Sequence, residues 1–453
     1  MNHTLNRVLV SPSRRAAFDI LQRVESESAY ASVLIAQLPE TDLSLEDRGL
    51  AQELVLGVLR WRDLLDHLIE QYAKRPIARF DLTVLIALRL GLYQLRYLSR
   101  IPQSAAVNES VNLVKRARVT SAAGLVNAVL RSAARFIDQS VGEDVSDAAA
   151  RASIELSHPA WMLERWRTML GDDEMRALAL ANNSPPAPSF RINTLRFTVA
   201  VAIGQLASEG VIARESEFAP GAFVVESGPG SSVAKASEHG LIYIQDQASQ
   251  LVSLLLDARA GHRVLDLCAA PGSKSSHIAA LSQDQALIVS SDIHTHRLST
   301  LQATCRRLGV TSIDAVALDA TQALPFAESS MKFDRVLVDA PCSGTGTLRG
   351  NPEIKWRLKL EDIEKLAKLQ LSLLRNASSA VSDGGRLLYS TCSVEPEENE
   401  AVIREFLDDN ASFRAIQPDV RGNLVAPGGF VRTFPHRQGS DGFFAAVLEK
   451  IAR

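Results

Sequence analysis

The stretch Arg263-Val-Leu-Asp-Leu-Cys-Ala-Ala-Pro-Gly-Ser-Lys-Ser275 decides the fold of the second half of this sequence. Residues 264–267 form an apolar run broken only by Asp266, which is typical of a buried strand. A turn of small residues, 268–272, leads into a segment with helical spacing from about 273 to 281. Such a strand, turn and helix form a ligand site in parallel α/β sheets, because the ligand can approach the backbone and meet unpaired helical N–H groups.

Two common nucleotide motifs do not fit this stretch. A P-loop needs glycine at the positions that hold Cys268 and Ser273, and the dinucleotide pattern G-x-G-x-x-G is absent. Without further signals, the stretch could also be a βαβ turn that binds nothing. The sequence downstream therefore has to decide between a ligand site and a purely structural turn.

Four more strand-like runs follow, and each ends in residues that could carry chemistry. The second ends at Asp292, which suits a ribose diol, and the third at Asp319, which suits an adenine amino group. The fourth and fifth, with their loops, cover residues 333–346 and 386–393. Because a single strand-end aspartate often only caps the next helix, the ordered series is the stronger indication of a cofactor site.

Residues from Pro12 to about Phe136 read as a helical domain. Ser11-Pro12 resembles a helix start, and Ser44-Leu-Glu-Asp47 resembles a capping box. Five or more amphipathic helices are expected before about residue 136. A small α+β segment should follow a linker at 138–148, with strands at 190–196 and 222–226. The predicted domains are 1–143, 144–238 and 239–453.

Charge, cysteine spacing and the lengths of apolar segments limit the classes of function that the protein can have. The 453 residues carry 49 Lys+Arg against 52 Asp+Glu, a net charge of −3, which argues against a uniformly basic nucleic-acid coat but permits a local basic face. The four cysteines lack metal-ligand spacing, so no metal site is expected. Residues 1–10 lack the apolar core of a signal peptide, and the most apolar helix contains Arg89 and Arg96. A cytoplasmic monomer without a membrane span is expected.

Four motifs narrow the range of protein families that the sequence could belong to. Cys268-Ala-Ala-Pro-Gly-Ser-Lys274, Asp339-Ala-Pro-Cys-Ser-Gly-Thr-Gly346, Ser390-Thr-Cys-Ser393 and Ser440-Asp-Gly-Phe-Phe-Ala-Ala446 resemble the RNA cytosine-C5 methyltransferases. Residues 104–115 and 124–131 resemble NusB-type domains, which bind RNA and protein. Together these resemblances cover nearly the whole chain and point to the RsmB (Fmu/Sun) family of 16S rRNA methyltransferases. One departure is Ser273, where that family usually has glycine.

The resemblance implies a fold, a cofactor and catalytic residues. It implies an all-α NusB-like domain, a small α+β RNA-binding extension and a C-terminal Rossmann-like class I methyltransferase domain. S-adenosylmethionine would be bound by the opening loop and three strand-end acids: Cys268, Ala269, Ala270, Pro271, Gly272, Ser273, Lys274, Asp292, Asp319 and Asp339. Lys274 would contact either the cofactor carboxylate or the RNA.

The chemistry explains the need for two cysteines. Cytosine C5 becomes nucleophilic only after a thiolate has added to C6. By the resemblance, Cys392 is that nucleophile, Cys342 assists product release and Asp339 hydrogen-bonds the cytosine. Strand order places the fourth strand between the first and the fifth, so all three residues should meet at one edge of the sheet.

RNA-binding residues are predicted outside the catalytic crevice: Arg116, Arg118, Arg131, Arg191, Asn193 and Arg196. Each could equally be an ordinary solvated position. Deleting residues 1–145 is expected to spare cofactor binding if the core folds alone. The substrate is expected to be 16S rRNA of the small ribosomal subunit. A tRNA cytosine-C5 methyltransferase and a non-enzymatic RNA-binding assembly factor are the alternatives.

Overall fold

The structure is a computed structural model that describes residues 10–38, 43–136, 141–326 and 331–452. The chain forms two compact units, the first comprising Met1–Pro185 and Leu348–Arg357, the second comprising Pro186–Thr347 and Leu358–Arg453. Residues 1–9 lie outside the described residues. The expectation that the chain has no signal peptide rests on residues 1–10, so nearly all of that stretch lies outside them. Part of the predicted linker, 137–140, lies outside them as well.

The first unit is helical, as the sequence predicts. Its helices before residue 185 are α1 Pro12–Ser26, α2 Ala31–Ala36, α3 Leu45–Arg60, α4 Arg62–Ala73, α5 Leu82–Tyr97, α6 Gln103–Arg116, α7 Ala123–Ala134, α8 Ala148–Leu156, α9 Ala160–Leu170 and α10 Asp172–Asn182. Ser11 immediately precedes α1, which has proline in its first turn. Ser44 Oγ accepts a 3.1 Å hydrogen bond from the N–H of Asp47. Both predicted helix starts are therefore confirmed.

The core of the first unit combines close helix packing with a buried ion pair. A Cβ on Gly57 of α3 would lie 2.0 Å from Cζ of Tyr93 in α5, so any larger residue would displace the Tyr93 ring. Arg89 in α5 is buried, but it pairs with Asp66 at 2.7 Å and with Glu25 at 3.0 Å. Among the described helices, none combines the length and the apolar character that a bilayer crossing requires.

The segment 348–357 joins the first unit, although it interrupts the sequence of the second. Its Lys355 is fully buried, and Nζ donates to the carbonyl oxygens of Arg60 at 2.9 Å and Ser157 at 2.8 Å, and to Oδ1 of Asn183 at 2.9 Å. Burial holds the pKa of Lys355 well below its usual value. The three acceptors nevertheless match the three N–H bonds of an ammonium group, and they tie the segment to three separate helical elements.

Neighbouring side chains of the same segment add further bonds inside the first unit. Trp356 Nε1 donates to the carbonyl oxygen of Leu59 at 2.7 Å, and Glu353 Oε1 accepts from the N–H of Ala31 at 2.8 Å. Trp356 thereby uses the carbonyl next to the one that Lys355 uses in α3. The sequence pattern does not predict this membership, because the contacts connect residues about 300 positions apart.

The second unit begins with a four-stranded antiparallel sheet. Its strands are β1 Ser189–Ile192, β2 Ile212–Glu215, β3 Ala222–Ser227 and β4 Ile242–Ile244, in the order β2-β3-β1-β4. Helices α11 Val199–Ser208 and α12 Gly230–Glu238 accompany the sheet. Because β1 is an inner strand, all four of its residues are buried.

A second, larger sheet forms the rest of this unit. Its strands are β5 Arg263–Asp266, β6 Leu287–Asp292, β7 Ile313–Ala317, β8 Phe333–Asp339, β9 Val381–Thr391, β10 Phe413–Ile416, β11 Val425–Ala426, β12 Phe430–Thr433 and β13 Phe443–Lys450. The remaining helices are α13 Gln247–Leu256, α14 Ser273–Leu281, α15 Thr295–Leu308, α16 Ile354–Arg357 of the first unit, α17 Leu360–Ala380, α18 Glu400–Asp409 and α19 Pro435–Gln438. The order of the large sheet is β11-β12-β13-β9-β8-β5-β6-β7, with β10 paired to β13.

The order of the parallel strands is the one that the sequence predicts. β8 lies between β5 and β9, with Asp266 opposite Leu337 and Asp339 opposite Ser390. The carboxyl ends of the three strands consequently lie side by side, where open α/β sheets bind ligands. β13 then pairs antiparallel with β9 and brings the last motif of the sequence to the same edge.

Two of the differences from the sequence prediction concern α8 and the end of β1. α8 follows the predicted linker directly and was not predicted; Asp147 caps it by accepting from the N–H of Ala150 at 2.7 Å. β1 ends at Ile192, four residues before the predicted end. The chain leaves the sheet at this point, so Arg196 lies in a turn rather than on a strand.

Candidate active site

The loop after β5 has the shape that the sequence predicts. Gly272 precedes α14 with φ of +99°, and a Cβ there would lie 2.8 Å from Cγ of Leu301. Glycine is therefore required at 272 both for conformation and for space. Ser273 is the first residue of α14 and has a helical, negative φ. The departure from glycine at 273 thus costs no backbone strain.

Asp266, at the end of β5, has one carboxylate oxygen free. The residue is fully buried, Oδ2 accepts from Ser275 Oγ at 2.7 Å, and Oδ1 has no partner among the described residues. Burial raises the pKa of Asp266 to about 7. Asp266 was absent from the predicted site, although it ends a strand just as Asp292 does. An unpaired acceptor of this kind suits a ligand that brings a hydrogen-bond donor.

The other two strand-end acids make local bonds. Asp292 is buried and accepts from the N–H of His294 at 2.9 Å and from Arg297 at 3.1 Å. Asp319 lies beyond the end of β7 and accepts from the N–H of Thr321 at 2.9 Å and from its hydroxyl at 2.6 Å. The hydroxyl bond lowers the pKa of Asp319. Both acids therefore make local turn bonds, but neither caps a helix, because α15 follows His294 without a side-chain cap and no described helix lies between β7 and β8.

The two cysteines of the strand-end loops lie in contact. Cys342, after β8, and Cys392, after β9, have their Sγ atoms 3.2 Å apart. The hydrogen bond to Cys392, burial and the negative charges of Cys392 and Glu398 hold the pKa of Cys342 well above its usual value. Cys342 therefore keeps its proton and can donate it towards the Cys392 sulfur.

Lys274 and Asp339 form an ion pair beside these thiols. Lys274 Nζ lies 2.6 Å from Asp339 Oδ2, and Ser390 Oγ donates to Asp339 Oδ1 at 2.8 Å. Burial alone would lower the pKa of Lys274, but the charge and hydrogen bond of Asp339 raise it above its usual value. The aspartate thus joins α14 to β9, and the lysine stays cationic within the site.

Glycines fix the loop of Cys392 from the other side. The N–H of Gly346 donates to the carbonyl oxygen of Cys392 at 2.9 Å, and Gly442 donates to the carbonyl of Gly346 at 2.8 Å. A Cβ on Gly346 would lie 2.0 Å from the Gly442 oxygen. Two of the sequence motifs therefore pack backbone against backbone around the thiol loop, which no larger residue would permit.

The predicted RNA contacts in the first unit are exposed. Arg116 pairs with Asp19 at 3.1 Å, and Arg131 Nε donates to Asn127 Oδ1 at 3.0 Å. Arg118, just beyond α6, is exposed with φ of +64°. Pairing between exposed groups is weak, so these three side chains remain available to an anion.

Two of the three predicted contacts in the second unit are internal. Arg191 is 2% exposed and donates to Gln245 Oε1 at 3.2 Å and to Ser276 Oγ at 2.8 Å; burial lowers its pKa to about 10. Asn193 is also buried and donates to two backbone carbonyls, both at 2.9 Å. These side chains hold the small sheet against the rest of the unit, and both are buried away from any phosphate at the surface. Only Arg196 of this group is exposed.

The ligand crevice at the carboxyl ends of the parallel strands, with paired thiols at its edge, is the arrangement that the resemblance to cytosine-C5 methyltransferases implies. Three family descriptions match consecutive parts of the chain: the NusB family at residues 11–135, a ferredoxin-like domain of RsmF/B-like methyltransferases at 158–230, and 16S rRNA methyltransferase RsmB/F at 253–449.

Full-length relatives identify the family. The chain is 34% identical to the probable ribosomal RNA small subunit methyltransferase B of Bacillus subtilis, over 96% of this chain and 98% of the relative. It is 36% identical to the counterpart from Synechocystis, over 97% and 99%. The crystal structure of PH0851 is 27% identical, with a TM-score of 0.82 over 98% of this chain and all of that one. The chain belongs to the ribosomal RNA small subunit methyltransferase B family, and the expected enzyme class is confirmed at that level.

Proposed function

We propose that this enzyme transfers a methyl group from S-adenosylmethionine to C5 of a cytosine in 16S rRNA, through a covalent bond between Cys392 and C6 of the base. The 3.2 Å contact between Cys342 and Cys392 carries the proposal, because two thiols in one ligand crevice match addition at C6 followed by assisted release. The family supports rRNA as the substrate.

The residues around the β5 loop fit S-adenosylmethionine. The free oxygen of Asp266 can accept from an ammonium group, and the N-terminus of α14 offers N–H donors to a carboxylate. Asp292 ends β6 and Asp319 lies just beyond the end of the neighbouring strand β7, so they can supply acceptors for ribose and adenine respectively. Small residues 268–270 leave room along the backbone. When bound, the cofactor supplies an electrophilic methyl group.

The protein side chains would carry the remaining chemistry. The Cys392 thiolate forms an S–C6 bond, and the electrons of the C5–C6 double bond move towards C5 and the ring. After C5 has been methylated, its proton leaves to a base. The electrons of the C5–H bond then restore the double bond while the S–C6 bond breaks, which regenerates the thiolate. Cys342 is close enough to Cys392 to assist this release.

Lys274 and Asp339 would hold the base during addition. Addition at C6 places negative charge on the pyrimidine ring, and the Lys274 ammonium stabilises such charge in a water-poor site. Asp339 can accept from the exocyclic amino group of cytosine, which selects cytosine over uracil. Because the two side chains are paired in this structure, Asp339 would have to share its oxygens between Lys274 and the base.

Cofactor affinity should depend on Asp292. Asp292→Ala removes a charge-assisted acceptor for ribose hydroxyls, and each lost bond costs on the order of 1.5–3 kcal/mol. We expect S-adenosylmethionine to bind at least about tenfold more weakly in calorimetric titration. Asp314→Ala, at an exposed position of the adjacent strand β7, is the matched control. Equal affinity of the two folded variants would remove Asp292 from the site.

The target is proposed at two levels of detail. The substrate class is 16S rRNA, and the specific base is cytosine 967, which rests on the family resemblance.

The predicted domain 1–143 would bind structured RNA through Arg116, Arg118 and Arg131. Phosphate contacts of this kind give salt-dependent affinity that does not depend on base identity.

Bisulfite sequencing tests the reaction and the substrate together. Ribosomal and transfer RNA from cells with and without the gene are compared, because C5-methylated cytosines resist conversion. We expect one protected cytosine of 16S rRNA to depend on the gene. Protection that changes only in tRNA would favour the tRNA alternative, and no change in either RNA would favour an assembly factor without catalysis.

A further inference from the structure

Glu398 is a buried carboxylate to which the proposed chemistry assigns no role. It ends the short turn Pro396–Glu398 after β9 and is fully buried. Its backbone carbonyl accepts from the hydroxyl of Tyr389 at 2.5 Å, which fixes the turn against β9. A buried carboxylate is costly unless several donors surround it, so its surroundings indicate what it stabilises.

The donors to Glu398 come from the two thiol loops, which carry Cys342 after β8 and Cys392 after β9, and from helix α17. Oε1 accepts from the N–H of Ser343 at 2.8 Å and from Gln370 Nε2 at 2.9 Å. Because both of these groups can only donate, Oε1 carries no proton. Oε2 receives the hydroxyls of Ser343 and Ser393. All four acceptor positions of the carboxylate are therefore in use.

The two serines are the residues that follow the two cysteines in sequence. Ser343 follows Cys342, and Ser393 follows Cys392. One carboxylate thus holds together two loops that belong to different strands. Gln370 strengthens the arrangement, since its Nε2 also donates to the carbonyl oxygen of Pro341 at 2.9 Å.

We propose that Glu398 is a positioning residue for the methyl transfer, fixing the two loops so that the Cys342 thiol lies against the Cys392 sulfur. The inference rests on the proposed covalent function and names the group that sets its geometry. The negative charge of Glu398 also contributes to holding the proton on Cys342. Its loss would therefore disturb both the distance between the thiols and the proton that they share.

The first test measures the distance between the thiols without any RNA. Diamide takes two electrons and two protons from a pair of close thiols and leaves a disulfide. Peptide mass spectrometry then follows the Cys342–Cys392 link over time. We expect wild type to form this link readily and Glu398→Gln to form it at least several-fold more slowly. Glu405→Gln, which removes an exposed carboxylate on α18, should match wild type.

The second test measures catalysis on 16S rRNA. Misplacing reacting groups by about 1 Å costs on the order of 100-fold in rate, so we expect a loss of this size for Glu398→Gln. An RNA–protein adduct should persist on denaturing gels, as expected for Cys342→Ala, while cofactor affinity stays unchanged. Ser393→Ala removes a single donor to Glu398 and should show a smaller loss of the same kind, even if Glu398→Gln does not fold.

Two results would overturn the proposal. One is wild-type disulfide formation and turnover in a folded Glu398→Gln or Ser393→Ala variant. The other is a loss of activity that merely follows a loss of cofactor affinity, with the rate of disulfide formation unchanged. If wild type does not methylate rRNA and Cys342→Ala forms no adduct, the proposed covalent function is wrong. The disulfide measurement then still decides whether Glu398 positions the two thiols.

Discussion

Cys392→Ala should abolish methylation and form no RNA adduct, whereas Cys342→Ala should accumulate RNA bound covalently to protein. The reason is the division of roles between two sulfur atoms 3.2 Å apart. Removing the nucleophile prevents the S–C6 bond, and the rate should fall by several orders of magnitude. Without the Cys342 thiol, Cys392 can still attack C6 of the base, but the thiol that assists release of the adduct is missing.

The assignment has a physical basis beyond sequence resemblance. The Cys342 thiol has a raised pKa and is held near a buried carboxylate, which favours the protonated form. A protonated thiol is a poor nucleophile but a suitable partner for a neighbouring thiolate. Denaturing gels of each variant with substrate RNA provide the measurement, and Cys305→Ala, a buried cysteine outside the loops, is the control. A covalent band with Cys392→Ala instead would reverse the two roles.

Lys355→Met should strongly destabilise the first unit. The substitution preserves much of the volume but leaves the carbonyls of Arg60 and Ser157 and the Oδ1 atom of Asn183 without their donor. Unpaired buried acceptors cost about 1–3 kcal/mol each. Part of this cost is offset because a buried charge is also removed. We expect the free energy of unfolding to fall by at least about 3 kcal/mol.

Fluorescence can measure this loss in one unit alone. All four tryptophans, Trp61, Trp161, Trp166 and Trp356, belong to the first unit. Urea unfolding followed by tryptophan emission therefore reports on that unit, which matters because a chain of two units need not unfold in one step. Lys365→Met, at an exposed position of α17, is the control. Identical unfolding midpoints for the two variants would contradict the structural role of Lys355.

The proposed catalytic crevice was predictable because its residues lie at or directly after strand ends. Cys342, Cys392 and Asp339 are each placed by the end of a strand, so strand order alone brings them together. Asp266 carries the same signal and could have been found in the same way. Glu398 could not, because an acid in the run 395–400 usually faces water, and only the folded loops show that it is buried.

The sequence prediction was wrong where a residue's contacts come from distant parts of the chain. Arg191 looked like an exposed arginine on a strand, but β1 lies inside its sheet and its partner Ser276 is 85 residues away. Segment 348–357 likewise depends on helices from the start of the chain. The expectation that deleting 1–145 spares cofactor binding depends on the core folding alone, and that deletion would take the Arg60 carbonyl from Lys355 and the Leu59 carbonyl from Trp356. Substitutions at Arg116, Arg118 and Arg131 are a cleaner test of RNA binding.

Segment 348–357 also sets the order in which the protein can be completed during synthesis. Helices α1 to α10 have all been made once residue 185 has left the ribosome, yet the last piece of their unit follows about 170 residues later. At typical rates of translation this interval lasts roughly 10–30 s. Throughout it, the carbonyls that will receive Lys355 have no partner from this segment. The first unit therefore cannot form all of its native contacts until residue 357 has been made.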